Sequence, residues 1–252
     1  MKKGTRATKM IFNELPSFYC PDVELSPVLS LEESAHAVKV LRLQSGARCN
    51  VLDGKGKMYA CTLAEADPKA AIVSVDSVIQ EIERGEISKC VVCMAPTKNR
   101  DRTEWFIEKA VELGVSDIIL LHCDRSEREK VSVERLEKIM VSAMKQSRHL
   151  FLPSLSVGLS VEEVCRKWKG IEQKFIAYCA ETFPKKDLAS TMTAGSDSII
   201  MIGPEGDFTD TEVQKAVDSG YIPVSLGTYR LRTETAALYA LASFRCINDR
   251  KQ

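Results

Sequence analysis

Ile202-Gly203-Pro204-Glu205-Gly206-Asp207-Phe208 and Ser225-Leu226-Gly227-Thr228-Tyr229-Arg230-Leu231-Arg232-Thr233-Glu234-Thr235-Ala236 decide how this chain is read. About two dozen residues separate them, a strand–helix–strand spacing. Each follows a short apolar run and leads into a helix-like pattern. Two glycine-bearing strand-to-helix turns this close in sequence are expected to form two walls of one small-molecule pocket.

Outward from these turns, the pattern after Ser88 alternates between strand and helix. Strands are expected over 91–95, 117–122, 175–179, 198–202 and 223–226, and helices over 104–113, 133–146, 161–168, 210–219 and 233–247. The helix at 161 is opened by the capping box Ser160-Val-Glu-Glu163, and the helix at 210 by Thr209-Asp-Thr-Glu212. Ser198-Ile-Ile-Met-Ile202 is a near-continuous apolar run of the kind found in a buried parallel strand. The alternation predicts an α/β fold with a mostly parallel sheet over residues 88–252.

Residues 18–80 read differently. Ser30-Leu-Glu-Glu33 is a capping box for a short helix over 32–40, with Ala35, Val38 and Leu41 inward. Short β-type runs follow at 48–52, 58–63 and 71–75, and Asp53-Gly54-Lys55-Gly56 signals a hairpin. Strands this short and closely spaced predict a small β-barrel. Residues 1–17 read as a loose extension, and the polar stretch 80–86 as a linker.

Lys plus Arg and Asp plus Glu both number 35, so bulk electrostatics do not drive nucleic-acid binding, though a local basic face is compatible with zero net charge. No apolar run has the length of a membrane span, and Met10-Ile-Phe12 is too short for a signal-peptide core, so cytoplasm is the expected location. Nine scattered cysteines suit a reducing compartment. Cys90 and Cys93 lie on a β-like run, where odd separation points them to opposite faces, so a core role is expected rather than a redox or zinc site. The three histidines, His36, His122 and His149, are too dispersed for a metal site.

In an open parallel sheet, ligands bind beyond the C-terminal ends of the strands. Three loops leave such ends: one at Cys179-Ala180-Glu181, one at 203–207 and one at 227–232. Gly203 and Gly206 allow close backbone approach, and Pro204 stiffens the turn. The turn lacks the Gly-Lys-Ser/Thr of a P-loop and the Gly-x-Gly-x-x-Gly of a dinucleotide site. Glu205 would repel polyphosphate and suits a cationic ligand without phosphates. S-adenosylmethionine, with a sulfonium and an amine, meets both conditions.

The Gly-Pro-Glu-Gly turn together with Leu226-Gly-x-x-x-Leu-Arg-Thr-Glu-Thr-Ala236 resembles the RsmE family, 16S ribosomal RNA uracil-N3 methyltransferases of the SPOUT class. Thr97-Lys98, the run 104–115, Arg125-Ser126 and Ser142-Ala-Met-Lys-Gln-Ser147 before Leu152-Pro153 are similar to its α/β segments. His36-Ala-Val-Lys-Val-Leu-Arg-Leu43 and Asp53-Gly-Lys-Gly56 are similar to its N-terminal PUA-like barrel. The chain departs from the pattern where Asp207 stands for a second glycine and where Arg148-His149 stands for a Gly-Arg pair. The resemblance implies a SPOUT-type α/β domain with a deep trefoil knot, bound S-adenosylmethionine, a homodimer, and a 16S ribosomal RNA substrate within the small subunit.

On that basis the cofactor site is expected at Cys179, Ala180, Glu181, Ile202, Gly203, Pro204, Gly206, Ser225, Leu226, Gly227, Tyr229, Leu231, Thr233, Thr235 and Ala236. Arg232 is the first choice for a catalytic or substrate-orienting cation, against a salt bridge to Glu234 or Glu205. Glu205 either bonds the cofactor or braces the turn through backbone amides. Thr233 and Thr235 also read as helix caps. RNA phosphates are expected at Lys98, Arg100, Arg102, Arg125 and Arg148, and in the barrel at Lys39 and Arg42. Two rival readings stay open: a SPOUT methyltransferase acting on another nucleotide, and a non-catalytic RNA-binding dimer.

Overall fold

Ser198–Ile202, buried at all five positions, is the central strand of a seven-stranded parallel sheet in a computed structural model that describes residues 15–127 and 131–249. Of the described residues, those up to Glu86 together with Met144–Leu152 form one compact unit, and Ile87–Ala143 with Pro153 onward form the other. The expected extension over 1–17 lies outside the described residues up to position 14, and Ser17 already opens a strand.

In the first unit, β1 (Ser17–Tyr19) pairs parallel with β2 (Arg48–Leu52). β3 (Lys57–Glu65) and β4 (Ile72–Glu81) continue the sheet antiparallel. Asp53 sets the β2–β3 turn, its Oδ1 accepting from the amides of Lys55 (2.7 Å), Gly56 (3.1 Å) and Lys57 (2.9 Å). Gly56 has φ +128°, and a Cβ there would lie 2.5 Å from the Ile82 carbonyl oxygen, so only glycine fits. Phe18, Leu29, Ala37, Val51, Tyr59 and Leu63 are part of the core beneath this sheet.

Three expectations in this unit are corrected. The helix is α1 (Leu31–Ala35), continuing as a π-turn over His36–Val40. Val38 packs against the core as expected, but the fully buried positions are Glu33, Ser34 and Ala37, Ala35 is half-buried and Leu41 is exposed. The capping box is half made: Ser30 Oγ accepts from the Glu33 amide at 3.2 Å, but the Glu33 carboxylate binds Lys145 at 2.5 Å. The linker also starts later than 80, because β4 extends to Glu81, where Lys57 Nζ lies 3.4 Å from Glu81 Oε1 across the strand pair.

In the second unit, β5 (Cys90–Met94) and β8 (Gln173–Ala177) flank the central strand β10, and β6 (Asp117–Leu121) follows β5. β11 (Ile222–Ser225) lies between β8 and β9 (Lys186–Asp187). Cys90 and Cys93 are fully buried in β5. The sequence reading missed two edge strands, β7 (Ser154–Leu159) and β9, and the short helix after β9, Leu188–Thr191. Both edges are polar and partly exposed, so they lack the apolar run that marks a central strand.

The remaining helices are α2 (Arg100–Glu112), α3 (Val133–Ser147), α4 (Val161–Lys167), α5 (Leu188–Thr191, a single turn), α6 (Asp210–Asp218) and α7 (Thr233–Asn248). α2 starts four residues before its expected start because Asn99 caps it, accepting from the Asp101 amide at 2.9 Å. The capping boxes of α4 and α6 are both complete. α4 and α6 pack together, as do α2 and α7.

Candidate functional site

Three strands, β8, β10 and β11, end side by side, and the chain leaving each one lines a cavity of about 660 Å³. Loop 178–185 follows β8, turn 203–209 follows β10, and loop 226–232 follows β11. All three are the loops expected from the sequence. Of the expected cofactor residues, Cys179, Glu181, Ile202, Gly203, Pro204, Ser225, Leu226, Gly227, Tyr229, Leu231, Thr233 and Ala236 line the cavity, as do Glu205 and Arg232. Ala180, Gly206 and Thr235 are outside the lining, and Thr235 points away on the exposed side of α7.

The glycines act differently from the expectation. A Cβ at Gly203 would lie 3.0 Å from the Phe208 ring, and one at Gly206 would lie 3.2 Å from Arg125 Cβ. The protein itself fills the room these glycines leave. Gly227, at φ +110° with nothing within 4 Å of its missing Cβ, opens onto the cavity. Ser225 Oγ accepts from the Gly227 amide at 3.3 Å and fixes the exit of β11.

Asp207 is the residue the sequence reading undervalued. It adopts φ +63°, a conformation that asparagine and aspartate tolerate better than most residues. Its Oδ2 accepts from the amides of Cys179 (2.9 Å) and Ala180 (3.1 Å), and its Oδ1 from the Phe208 amide (2.9 Å). One carboxylate thus ties loop 178–185 to turn 203–209. Lys185 holds the same loop from within, donating to the carbonyls of Cys179 (3.0 Å) and Ala180 (3.1 Å) and to Glu181 Oε1 (3.0 Å). Its ammonium also lies 5.2 Å from the Tyr178 ring centroid. The signal for Asp207 was its place beside Gly206 in a turn that calls for a positive φ.

The charged residues sort themselves. Glu205 Oε1 accepts from the Lys98 amide at 3.1 Å, the bracing arrangement. Glu234 lies 3.8 Å from Arg102 Nε, and Arg102 itself lines the cavity. Arg232 is therefore not engaged by either carboxylate: among the described residues its guanidinium makes no ion pair or hydrogen bond. It occupies the N-cap position of α7 without a side-chain cap, so neither Thr233 nor Thr235 caps the helix.

The expected RNA contacts are scattered. Lys98 pairs with Glu127 at 2.8 Å and Arg100 with Glu104 at 3.2 Å. Arg125 donates to the carbonyls of Gly206 (3.1 Å) and Phe208 (3.3 Å), clamping the turn from behind. On the first unit, Lys39 and Arg42 are exposed and Arg148 is half-buried. Arg42 and Arg148 have φ of 56° and 57°, each just past the end of a helix, where glycine is usual.

A family model described as the RNA methyltransferase domain matches residues 85–245, and one described as the RNA methyltransferase PUA domain matches residues 30–76. The structure is similar to a probable rRNA-methyltransferase from Porphyromonas gingivalis, 38% identical, with a TM-score of 0.85 over 94% of this chain and 100% of that one. It is also similar to a Ribosomal RNA small subunit methyltransferase E from Neisseria gonorrhoeae bound to S-adenosyl methionine, 25% identical, with a TM-score of 0.76 over 93% of this chain and 98% of that one. The Ribosomal RNA small subunit methyltransferase E of Bacillus subtilis is 28% identical over 234 residues, 88% of this chain and 91% of the relative. With more than half of its length inside the first match, the chain belongs to the RNA methyltransferase domain family.

Proposed function

We propose that the protein methylates uracil N3 at one position of 16S ribosomal RNA in the small subunit, using S-adenosylmethionine and acting as a homodimer. The observation that carries this is the cavity of about 660 Å³ at the ends of β8, β10 and β11, walled by Ile202, Leu226, Leu231 and Ala236 and edged by charged side chains of both signs. Its volume is that of a small-molecule site. Its lining carries both carboxylates and cations, and the turn after β10 lacks the Gly-Lys-Ser/Thr of a phosphate-binding loop. The names of the Bacillus and Neisseria relatives, and the S-adenosyl methionine in the Neisseria structure, support the reading.

A deep trefoil knot fits the strand order. Because β11 lies between β8 and β9, loop 178–185 must span the end of β11, and the chain leaving β11 through 226–232 passes it there. Homodimerisation is supported by Trp105 on α2 and Tyr239 on α7, each 46% exposed on helices that pack together. Residues 18–80 would grip RNA through Lys39 and Arg42, and residues 88–252 would carry out the transfer.

When bound, S-adenosylmethionine supplies an electrophilic sulfonium methyl group. Ser225, Leu226 and Gly227 would hold the ligand with backbone groups and apolar contacts, and loop 178–185, fixed by Asp207 and Lys185, would form the facing wall. The uracil imide proton would pass to solvent water at the cavity mouth, leaving negative charge spread over N3, O2 and O4. Arg232, with no other partner among the described residues, would donate to one of these oxygens and orient the ring for transfer. Calorimetry with S-adenosylmethionine tests the reading: saturable binding is expected, and its absence would leave the rival non-catalytic RNA-binding dimer. Digestion of methylated ribosomal RNA should release 3-methyluridine; any other methylated nucleoside would favour the rival substrate.

A further inference from the structure

Tyr229 is expected among the cofactor walls, yet its side chain is the barest large apolar group at the cavity. It is 86% exposed, so its ring has almost no protein behind it. A wall that presses a ligand into place is backed by packing, as Leu231 and Ala236 are. Tyr229 instead stands at the rim of the cavity, on loop 226–232, between Arg230 and Arg232. Among the described residues, neither guanidinium nor the Tyr229 hydroxyl has a hydrogen-bond or ion-pair partner. An open aromatic face beside an unengaged guanidinium, that of Arg230, matches the chemistry of an unstacked nucleobase with a flanking phosphate.

We propose that Tyr229 is a stacking platform for an RNA base at the mouth of the cavity, with Arg230 holding an adjacent phosphate. The proposal rests on the methyltransferase reading and names how that site grips its RNA. Most other aromatic side chains are spent in the two cores, so this loop supplies the stacking surface. A base methylated at a ring nitrogen must leave its helix to present that edge, and a ring beside the cavity offers it a new stacking partner.

The test uses the full chain with Tyr229→Ala and Tyr229→Phe. Three quantities are measured: S-adenosylmethionine affinity by calorimetry, oligomer mass by sedimentation, and the KM for small ribosomal subunits from a strain lacking the gene. Tyr229→Ala is expected to raise that KM about five- to hundred-fold, the usual loss for one stacked base. Cofactor affinity should stay within twofold and mass unchanged, and Tyr229→Phe should behave as wild type. A parallel loss of cofactor affinity would make Tyr229 a cofactor wall, and a fall in mass would make it a subunit contact. An unchanged KM would also overturn the proposal. If wild type itself binds no S-adenosylmethionine, the methyltransferase reading fails first and the proposal with it.

Discussion

Replacing Arg232 separates chemistry from stability with opposite signs. The residue sits at the N-cap of α7 with extended backbone (φ −72°, ψ 156°) and no capping hydrogen bond. A cation there opposes the positive end of the helix dipole, an effect of about 0.3–1 kcal/mol. Its side chain is exposed and makes no ion pair among the described residues, so truncation removes no stabilising contact. Arg232→Ala should leave stability unchanged or slightly raised. Arg232→Ser also adds a capping hydroxyl worth about 1 kcal/mol, which raises Tm by about 2–4 °C for a chain of this size. Losing one donor to a developing oxyanion lowers kcat about 100- to 1,000-fold. Arg232→Lys keeps the charge but loses the planar fork, and should fall between. The assay is single-turnover transfer of labelled methyl groups to small ribosomal subunits, run beside thermal melting and cofactor calorimetry. Unimpaired turnover in Arg232→Ala would remove Arg232 from the mechanism. A melting temperature several degrees lower would make it a structural residue.

Three other predictions concern the loops and termini. Asp207→Ala keeps the left-handed backbone but removes the acceptor for three amides, so S-adenosylmethionine affinity should fall about tenfold or more, since each bond to a charged group contributes about 1.5–3 kcal/mol. Asp207→Gly relieves the backbone and should recover part of that loss; if Ala binds as well as Gly, strain is not a factor. Arg148→Gly should raise Tm by about 2–4 °C, because Arg148 sits past the end of α3 at φ 57° with the His149 amide bonded to the Met144 carbonyl, and relief of such strain is worth about 1 kcal/mol. A lower Tm would mean that the arginine side chain outweighs its backbone strain. Burial pushes the thiols of Cys49, Cys61, Cys90 and Cys123 up to about 12, so they stay protonated at mildly alkaline pH. A thiol reagent should therefore label only Cys179 and Cys246 of the native protein's nine cysteines, with S-adenosylmethionine protecting Cys179; labelling of a third would contradict the packing.

The apolar runs carried the central sheet. Ser198–Ile202 could be read directly because a strand buried on both faces needs no alternation. The capping boxes at Ser160 and Thr209 fixed two helix starts for the same local reason: their partners are three residues away. The features that escaped depend on distant contacts. Glu33 left its own cap for Lys145, more than a hundred residues on, and the α1 helix widened into a π-turn. β9 is two residues long and exists only because β11 pairs with it. The pocket turns were found by their glycines, but those glycines make room for Phe208 and Arg125, while Asp207 holds the loops together. No local pattern assigns the cations either: Arg100 and Lys98 are paired with carboxylates, and Arg232 is left to the cavity.

The most direct test of the central claim is reverse transcription across small-subunit ribosomal RNA from wild-type cells and from a strain lacking the gene. A methyl group on uracil N3 blocks Watson–Crick pairing and halts the polymerase. One stop at a uridine is expected in wild-type RNA, with its loss in the deletion strain and its return when deletion-strain subunits are incubated with the protein and S-adenosylmethionine. A stop that persists in the deletion strain would contradict it.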